Sequence, residues 1–346
     1  MSTSLIIPGL RYVTVGEPGL RRLGKPPRFR YVDPDGRPLR EATALQRIRM
    51  LAIPPAYQDV WICADADGHL QAIGTDARGR RQYRYHADWR THRDSGKFAR
   101  LTQFAESMPA IRARVAADLE LRGLPRAKVL ATVVRLLETT LARVGNEEYA
   151  RTNESYGVTT LRNEHVAVQG SAMRFHFRGK GGKIWRLKLE DRRVAGVLRR
   201  CQELPGEQLF QYLDEDGALQ GIGSSDVNAY LREITGEGVT AKDFRTWAAT
   251  VNATFALLAM PRAESQTALK RQLNEAIKAT AARLGNTPTI CRKCYIHPAV
   301  QEAYLGGGLA LRLMAAGAEA HALRPEEAAV LRFLRRAGAA QRQQAA

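Results

Sequence analysis

Acidic residues are few beside the basic ones. Only 35 Asp and Glu stand against 53 Lys and Arg in 346 residues, a formal net charge of +18 with a sequence pI near 10.2. Such a surplus points to a polyanionic partner, because a positive field speeds encounter with phosphates and releases their counterions on binding. The plain alternative is a solvated basic surface. Long apolar runs are missing too. No stretch approaches the roughly 18 residues of a membrane-spanning helix, and Met1 to Arg11 lacks the order of a signal peptide, so nucleic acid is expected as partner and a membrane is not. Cysteine is sparse, with four residues (Cys63, Cys201, Cys291, Cys294). That excludes a disulfide scaffold and fits a reducing cytoplasm. Cys291-Arg-Lys-Cys294, followed by His297, has metal-type spacing, but no second pair accompanies it and no strand signal leads into it. Neither a metal site nor a redox pair is expected. No Gly-Lys is followed by Ser or Thr, which excludes a nucleotide-binding P-loop. No internal repeat or long low-complexity linker occurs.

The residues that are present divide the chain. Phe29 to Val32, Val60 to Ala64 and Leu70 to Gly74 are short β-prone runs, separated by turn signals at Asp33-Pro-Asp-Gly36 and Asp65-Ala-Asp-Gly68. A short helix is predicted from about Thr43 to Leu51. After Tyr85 the apolar period becomes helical. Pro125 opens a predicted helix to about Val144, with Val129, Leu130, Val133, Leu136, Leu137 and Leu141 on one stripe. Three β-like runs interrupt it at Val166 to Val168, Met173 to Phe177 and Ile184 to Leu189. Gly179-Lys-Gly-Gly182 joins the last two as a tight hairpin. Thr240-Ala-Lys-Asp243 has capping-box spacing and starts a helix to about Met260. Another is predicted from about Ala263 to Leu284, stopped by Gly285 with Pro288 just beyond. The last ten or so residues are expected to fray. The pattern is that of an α+β protein: a small β-rich N-terminal domain over residues 1–88, and a larger, mainly helical domain over 89–346 with a three-stranded antiparallel sheet.

Candidate contacts with nucleic acid lie between Asp76 and Arg100, where eight Lys or Arg face three Asp and are interleaved with Tyr83, Tyr85, His86 and Trp89. Cations there suit phosphates and aromatics suit bases or sugars, while an exposed charged face with tyrosines on a core explains the same pattern. Cleaving a phosphodiester without a metal needs a nucleophile, fixed cations around the non-bridging oxygens and an acid for the departing oxygen. Three cations stand in unusual places. Arg143 lies at the end of the long predicted helix, where it either favours the helix dipole or serves another purpose. Arg245 falls in the first turns of a capped helix, where a cation opposes the dipole; phosphate binding or an ion pair would account for it. Lys180 stands at the tip of the Gly-rich hairpin, a position from which an ammonium reaches outward.

Taken in order, these segments resemble the type IB DNA topoisomerases of the short poxvirus and bacterial form, from roughly Ile53 to Tyr295. Gly74-Thr-Asp-Ala-Arg-Gly-Arg-Arg-Gln-Tyr-Arg-Tyr85 resembles the family's strand that contacts DNA in the major groove. Tyr83 and Tyr85, with Arg80 and Arg81 beside them, take that role by resemblance. Arg143-Val-Gly-Asn-Glu-Glu-Tyr149 with Tyr156-Gly-Val-Thr-Thr-Leu161 resembles the first-arginine motif, which makes Arg143 catalytic and Tyr149 a DNA contact. Phe177-Arg-Gly-Lys-Gly-Gly-Lys183 resembles the lysine hairpin, with Lys180 as general acid. Lys242-Asp-Phe-Arg-Thr-Trp247 resembles the second-arginine motif, assigning Arg245 and placing Lys242 near a phosphate. Gly285-Asn-Thr-Pro288 followed by Tyr295 resembles the nucleophile motif. Many relatives carry His where this chain has Asn286, which still donates a hydrogen bond but carries no charge.

The resemblance implies relaxation of supercoiled duplex DNA through a 3′-phosphotyrosyl intermediate, without ATP, metal or other cofactor. The implied protein is a monomer closing around the duplex, in the cytoplasm with the nucleoid. A tyrosine recombinase would use the same chemistry, though it usually carries His where Lys242 stands. A basic DNA-binding protein without catalysis would form no covalent adduct.

Overall fold

The computed structural model describes residues 7, 9–77, 79–236, 238–314 and 321–345. Most of the Met1 to Arg11 segment and Arg78 of the basic stretch lie outside the described residues. The chain divides into two compact units, residues 1–97 and 98–346. Among the described residues no helix is long and apolar enough to cross a membrane.

The first unit is a five-stranded antiparallel sheet of β1 (Gly19–Lys25), β2 (Arg28–Val32), β3 (Gln58–Cys63), β4 (Leu70–Thr75) and β5 (Arg81–Tyr85), in the order β2-β1-β3-β4-β5. Helix α1 (Ala42–Met50) packs Ile48 against Leu20, Val60, Ile62 and Ala72 on one face. Val13, Cys63, Leu70 and Ile73 close the other, with Trp61 and Tyr85 beside them. Both faces are covered, so β4 reads as a continuous buried run rather than an alternating one. β1 escapes sequence detection because Gly-Leu-Arg-Arg-Leu-Gly-Lys has two glycines and three cations in seven residues. Its pairing with both β2 and β3 overrides that weak local preference.

The second unit begins within α2 (Ala87–Glu120) and continues through α3 (Arg126–Thr140) and α4 (Glu147–Asn153). The antiparallel strands β6 (Val166–Gln169), β7 (Ala172–Arg178) and β8 (Ile184–Glu190) follow, in that order across the sheet. Then come α5 (Arg192–Glu203), the short hairpin β9 (Gln211–Leu213) and β10 (Leu219–Gly221), α6 (Ser224–Thr235), α7 (Ala241–Leu258), α8 (Gln266–Leu284), α9 (Pro288–Cys294), α10 (Pro298–Leu305) and α11 (Pro325–Ala345). One large core runs through this unit, built around α3, whose Val129 to Val134 and Leu136 to Leu137 are all buried. Truncating such a leucine to alanine costs about 2–5 kcal/mol.

Two expectations need correction. The long helix stops at Thr140, not near Val144, because Leu141 adopts a left-handed conformation (φ 58°). Arg143 is therefore outside the helix and does not serve its dipole. At the other end, α11 is helical through Ala345, where fraying was expected. The capping box at Thr240 forms as the spacing predicts: the Asp243 carboxylate accepts from the Thr240 backbone N–H at 2.9 Å and from its hydroxyl at 2.8 Å.

Candidate active site

Four side chains far apart in sequence converge in the second unit. Tyr295 caps the C-terminus of α9, its N–H bonded to the Cys291 carbonyl at 3.0 Å. Only 5% of the residue is exposed. Thr250 on α7 holds this corner from beneath: its hydroxyl lies 3.2 Å from the Tyr295 carbonyl and accepts from the His297 N–H at 3.2 Å. Cys291 is fully buried in the core, and burial pushes its thiol up to about 11. Among the described residues no group of three His, Cys, Asp or Glu is arranged to hold a metal.

Arg143 reaches the same place from the loop after α3. Its Nη1 donates to the Tyr295 phenol oxygen at 3.1 Å and its Nη2 to Asn286 Oδ1 at 2.5 Å. The loop itself is clasped by the Tyr156-Gly-Val-Thr-Thr segment, where the Val158 N–H bonds the Arg143 carbonyl at 2.8 Å. That approach needs Gly157: a Cβ there would lie 2.6 Å from the Arg143 carbonyl oxygen and 2.5 Å from the Gly145 nitrogen. Asn286 follows Gly285, which ends α8 in the left-handed region at φ 66°.

Arg245 is 3% exposed and sits between two helix ends. Its guanidinium donates to the Leu141 carbonyl at the end of α3 and, at 2.7 Å, to the Leu284 carbonyl at the end of α8. It lies 5.3 Å from the centre of the Tyr295 ring. The negative ends of two helices stabilise the buried cation without a carboxylate. Neither Arg143 nor Arg245 forms an ion pair among the described residues, which removes the ion-pair explanation for Arg245. Burial lowers the Arg245 pKa, as does the charge of Arg143.

The phenol feels the same charges. Burial opposes its ionisation, but the charges of Arg143 and then Arg245, with hydrogen bonding from both guanidiniums, outweigh it and bring Tyr295 below the ordinary phenol value. Two buried donors at this cluster have no hydrogen-bond partner, Arg245 Nε and Asn286 Nδ2. Leaving such donors unmet costs about 1–3 kcal/mol each, a cost an arriving anion would remove.

Lys180 is not part of the cluster. It is exposed in the turn between β7 and β8 and forms no hydrogen bond or ion pair among the described residues. The base of its hairpin is anchored beside Asn286. Lys183 Nζ donates to the Ala282 carbonyl at 3.2 Å, and Trp185 lies so close that a Cβ on Gly285 would stand 2.7 Å from its ring. Sequence reading missed Lys183, Trp185 and Thr250 because each looks like an ordinary strand or helix residue. Tyr149 is 47% exposed on α4, and Lys242 is exposed in the first turn of α7. The remaining DNA candidates belong to the first unit. Arg81, Tyr83 and Tyr85 alternate along the edge strand β5, with the two tyrosine rings stacked at 6.3 Å. Arg80 is instead committed to Asp76 at 2.7 and 2.9 Å.

Comparison with known proteins covers both units. The model of the eukaryotic DNA topoisomerase I catalytic core matches residues 86–305, and that of the bacterial DNA topoisomerase IB N-terminal domain matches residues 28–76. The chain is similar to a DNA topoisomerase 1B of Acanthamoeba polyphaga mimivirus, 33% identical over 75% of this chain and 80% of the relative. It is also similar to a DNA topoisomerase I of Monkeypox virus, 26% identical over 71% of this chain and 75% of the relative.

Proposed function

The chain belongs to the type IB DNA topoisomerase family, and from that premise we propose that it relaxes supercoiled duplex DNA through Tyr295 as nucleophile. The phenolate oxygen attacks the scissile phosphorus in line, and the P–O bond to the 5′ oxygen breaks. Lys180 gives that oxygen a proton. Arg143 and Arg245 face the charge that grows on the non-bridging oxygens, and Asn286 Nδ2 donates to one of them. The product is a 3′-phosphotyrosyl linkage, which keeps the energy of the broken bond. Attack by the free 5′ hydroxyl reverses every step, returns the proton to Lys180 and releases Tyr295, so the cycle needs no ATP.

The observation that carries this reading is the pair of unmet buried donors, Arg245 Nε and Asn286 Nδ2, beside a phenol whose ionisation two uncompensated guanidiniums favour. Asn286 suits the task as oriented: its oxygen is engaged by Arg143, and its NH₂ is left for a phosphate. Lys180 acts from a turn that DNA reaches from solvent. Arg81, Tyr83, Tyr85, Tyr149 and Lys242, with Arg80 through its turn, position the duplex. The protein works as a monomer closing around that duplex, with the nucleoid.

Incubation with supercoiled plasmid in EDTA without ATP tests the proposal. The expected result is relaxation together with protein joined to a 3′ end on a denaturing gel, both lost in Tyr295→Phe, a fall of more than about 10⁴-fold. An adduct that persisted in Tyr295→Phe would sink the assignment.

A further inference from the structure

The outer face of the three-stranded sheet carries charge that the fold does not use. Along β7, Met173, Phe175 and Phe177 are buried while Arg174, His176 and Arg178 are exposed; on β8, Arg186 and Lys188 are exposed in turn. The antiparallel register sets Arg174 directly opposite Lys188. Like charges directly across a ladder weaken it. Three other surface arginines of this unit are paired with acids, Arg126 with Asp226 at 2.7 Å, Arg162 with Glu207 at 2.8 Å and Arg193 with Glu120 at 2.8 Å. The side chains of Arg174, Arg178, Arg186 and Lys188 form no hydrogen bond or ion pair among the described residues. The acid of these two strands on this face is Glu190, at the end remote from the turn and opposite Ala172.

The ladder has a direction. It runs about 13 Å from Arg174 to Arg178 and ends at the turn that bears Lys180, where the Arg178 guanidinium lies near Gly182, 3.6 Å from the place a Cβ would occupy. A duplex carries one charge per about 1.7 Å of its axis, so the ladder spans several phosphates. Unpaired guanidiniums in a row, kept against their mutual repulsion, suit a phosphodiester backbone better than any compact anion.

The geometry points to a phosphate track on the outer face of β7 and β8, in which Arg174, Arg178, Arg186 and Lys188 hold the backbone of the cleaved duplex to one side of the scissile phosphate while Lys180 reaches it. This rests on the reading of the chain as a DNA-cleaving enzyme. The track also explains why the hairpin is braced at its base by Lys183 and Trp185: a strand pair that bears a duplex must not swing with it.

The test uses the full chain with Arg174, Arg186 and Lys188 changed together to Gln, and one linear duplex per protein. Affinity is measured against salt concentration. Loss of three phosphate contacts makes the slope of log K against log salt shallower by about two to three, and Lys188→Gln alone by about one. Without DNA, the triple variant unfolds at the same or a higher temperature than wild type, because the cross-strand repulsion is relieved. An unchanged salt slope in both variants overturns the track. A change seen only with excess duplex or supercoiled plasmid overturns it as well, since the face would then hold a second segment. Wild type serves as the control for the underlying reading: absence of any Tyr295-dependent adduct defeats that reading, whereas an adduct with an unchanged slope defeats only the track.

Discussion

Arg245 and Lys180 carry the same charge in opposite surroundings. Arg245 is almost wholly buried, gripped by two helix-terminal carbonyls, while Lys180 is exposed on a glycine turn and bonded to nothing described. The difference follows from what each charge is proposed to do. A cation that stabilises developing charge works best when its orientation is set before the substrate arrives, so that no reorganisation is needed at the moment of reaction. A cation that must deliver a proton and take it back needs approach and retreat, and burial would strip its charge. The buried half of the site is thus built by packing, and the exposed half by a turn.

This contrast can be broken in four ways, beginning with the largest effect. Lys180→Ala is expected to slow single-turnover cleavage by about 10²–10⁴-fold while leaving the unfolding temperature unchanged. A duplex whose leaving 5′ oxygen is replaced by sulfur should restore the rate, because a departing thiolate, with a pKa near 8.5, needs no proton. Failure of that rescue would remove Lys180 from the role of acid.

Arg245→Gln should behave differently in both respects. It is expected to lower cleavage by about 10²–10³-fold, with no rescue by the sulfur substrate. It should also destabilise the fold by about 1–3 kcal/mol, read by urea unfolding, since the Leu141 and Leu284 carbonyls lose a charged donor. A variant of full stability would show that the two helix ends do not depend on the guanidinium.

The third test concerns pH. Because Arg143 and Arg245 lower the Tyr295 pKa, the phenolate is populated at lower pH than in free tyrosine, and the cleavage rate should level off below pH of about 10. Arg143→Gln removes the larger of the two favourable charges and should move the midpoint of the rate profile upward. A midpoint that stayed put would mean another group governs it. The smallest effect is expected at Asn286. Asn286→His adds a charge where the neutral amide accepts from Arg143 and offers its NH₂ to the phosphate, and a gain of no more than about tenfold in cleavage is anticipated; a loss would show that the Arg143 to Asn286 bond matters more than the charge.

The sequence and the folded chain divide the explanation unevenly. The hairpin of β7 and β8, the capped start of α7 and the glycine stop of α8 are all local: alternation, a capping box and a left-handed glycine act within a few residues and were legible as such. Strand β1 was not, since its pairing with β2 and β3 outweighs a composition that disfavours strands. The end of α3 was misjudged for a related reason. Nothing in the apolar stripe of residues 129–141 announces that Leu141 will turn left-handed, and that turn brings its carbonyl to a guanidinium 104 residues away.

By itself the sequence determined the charge that seeks a polyanion, the change from period-two to helical patterning after Tyr85, and the ordered motifs by which Arg143, Lys180, Arg245, Asn286 and Tyr295 could be nominated. Composition and periodicity are sums over neighbours along the chain, so they survive without coordinates. Tertiary structure alone decided that Arg143, Arg245, Asn286 and Tyr295 meet while Lys180 stays outside, that two donors remain unmet beside the phenol, and that Arg174 and Lys188 face one another across β7 and β8. Those facts depend on which distant backbone groups accept each hydrogen bond and on strand register, quantities set by packing across the core and written in no local stretch of residues.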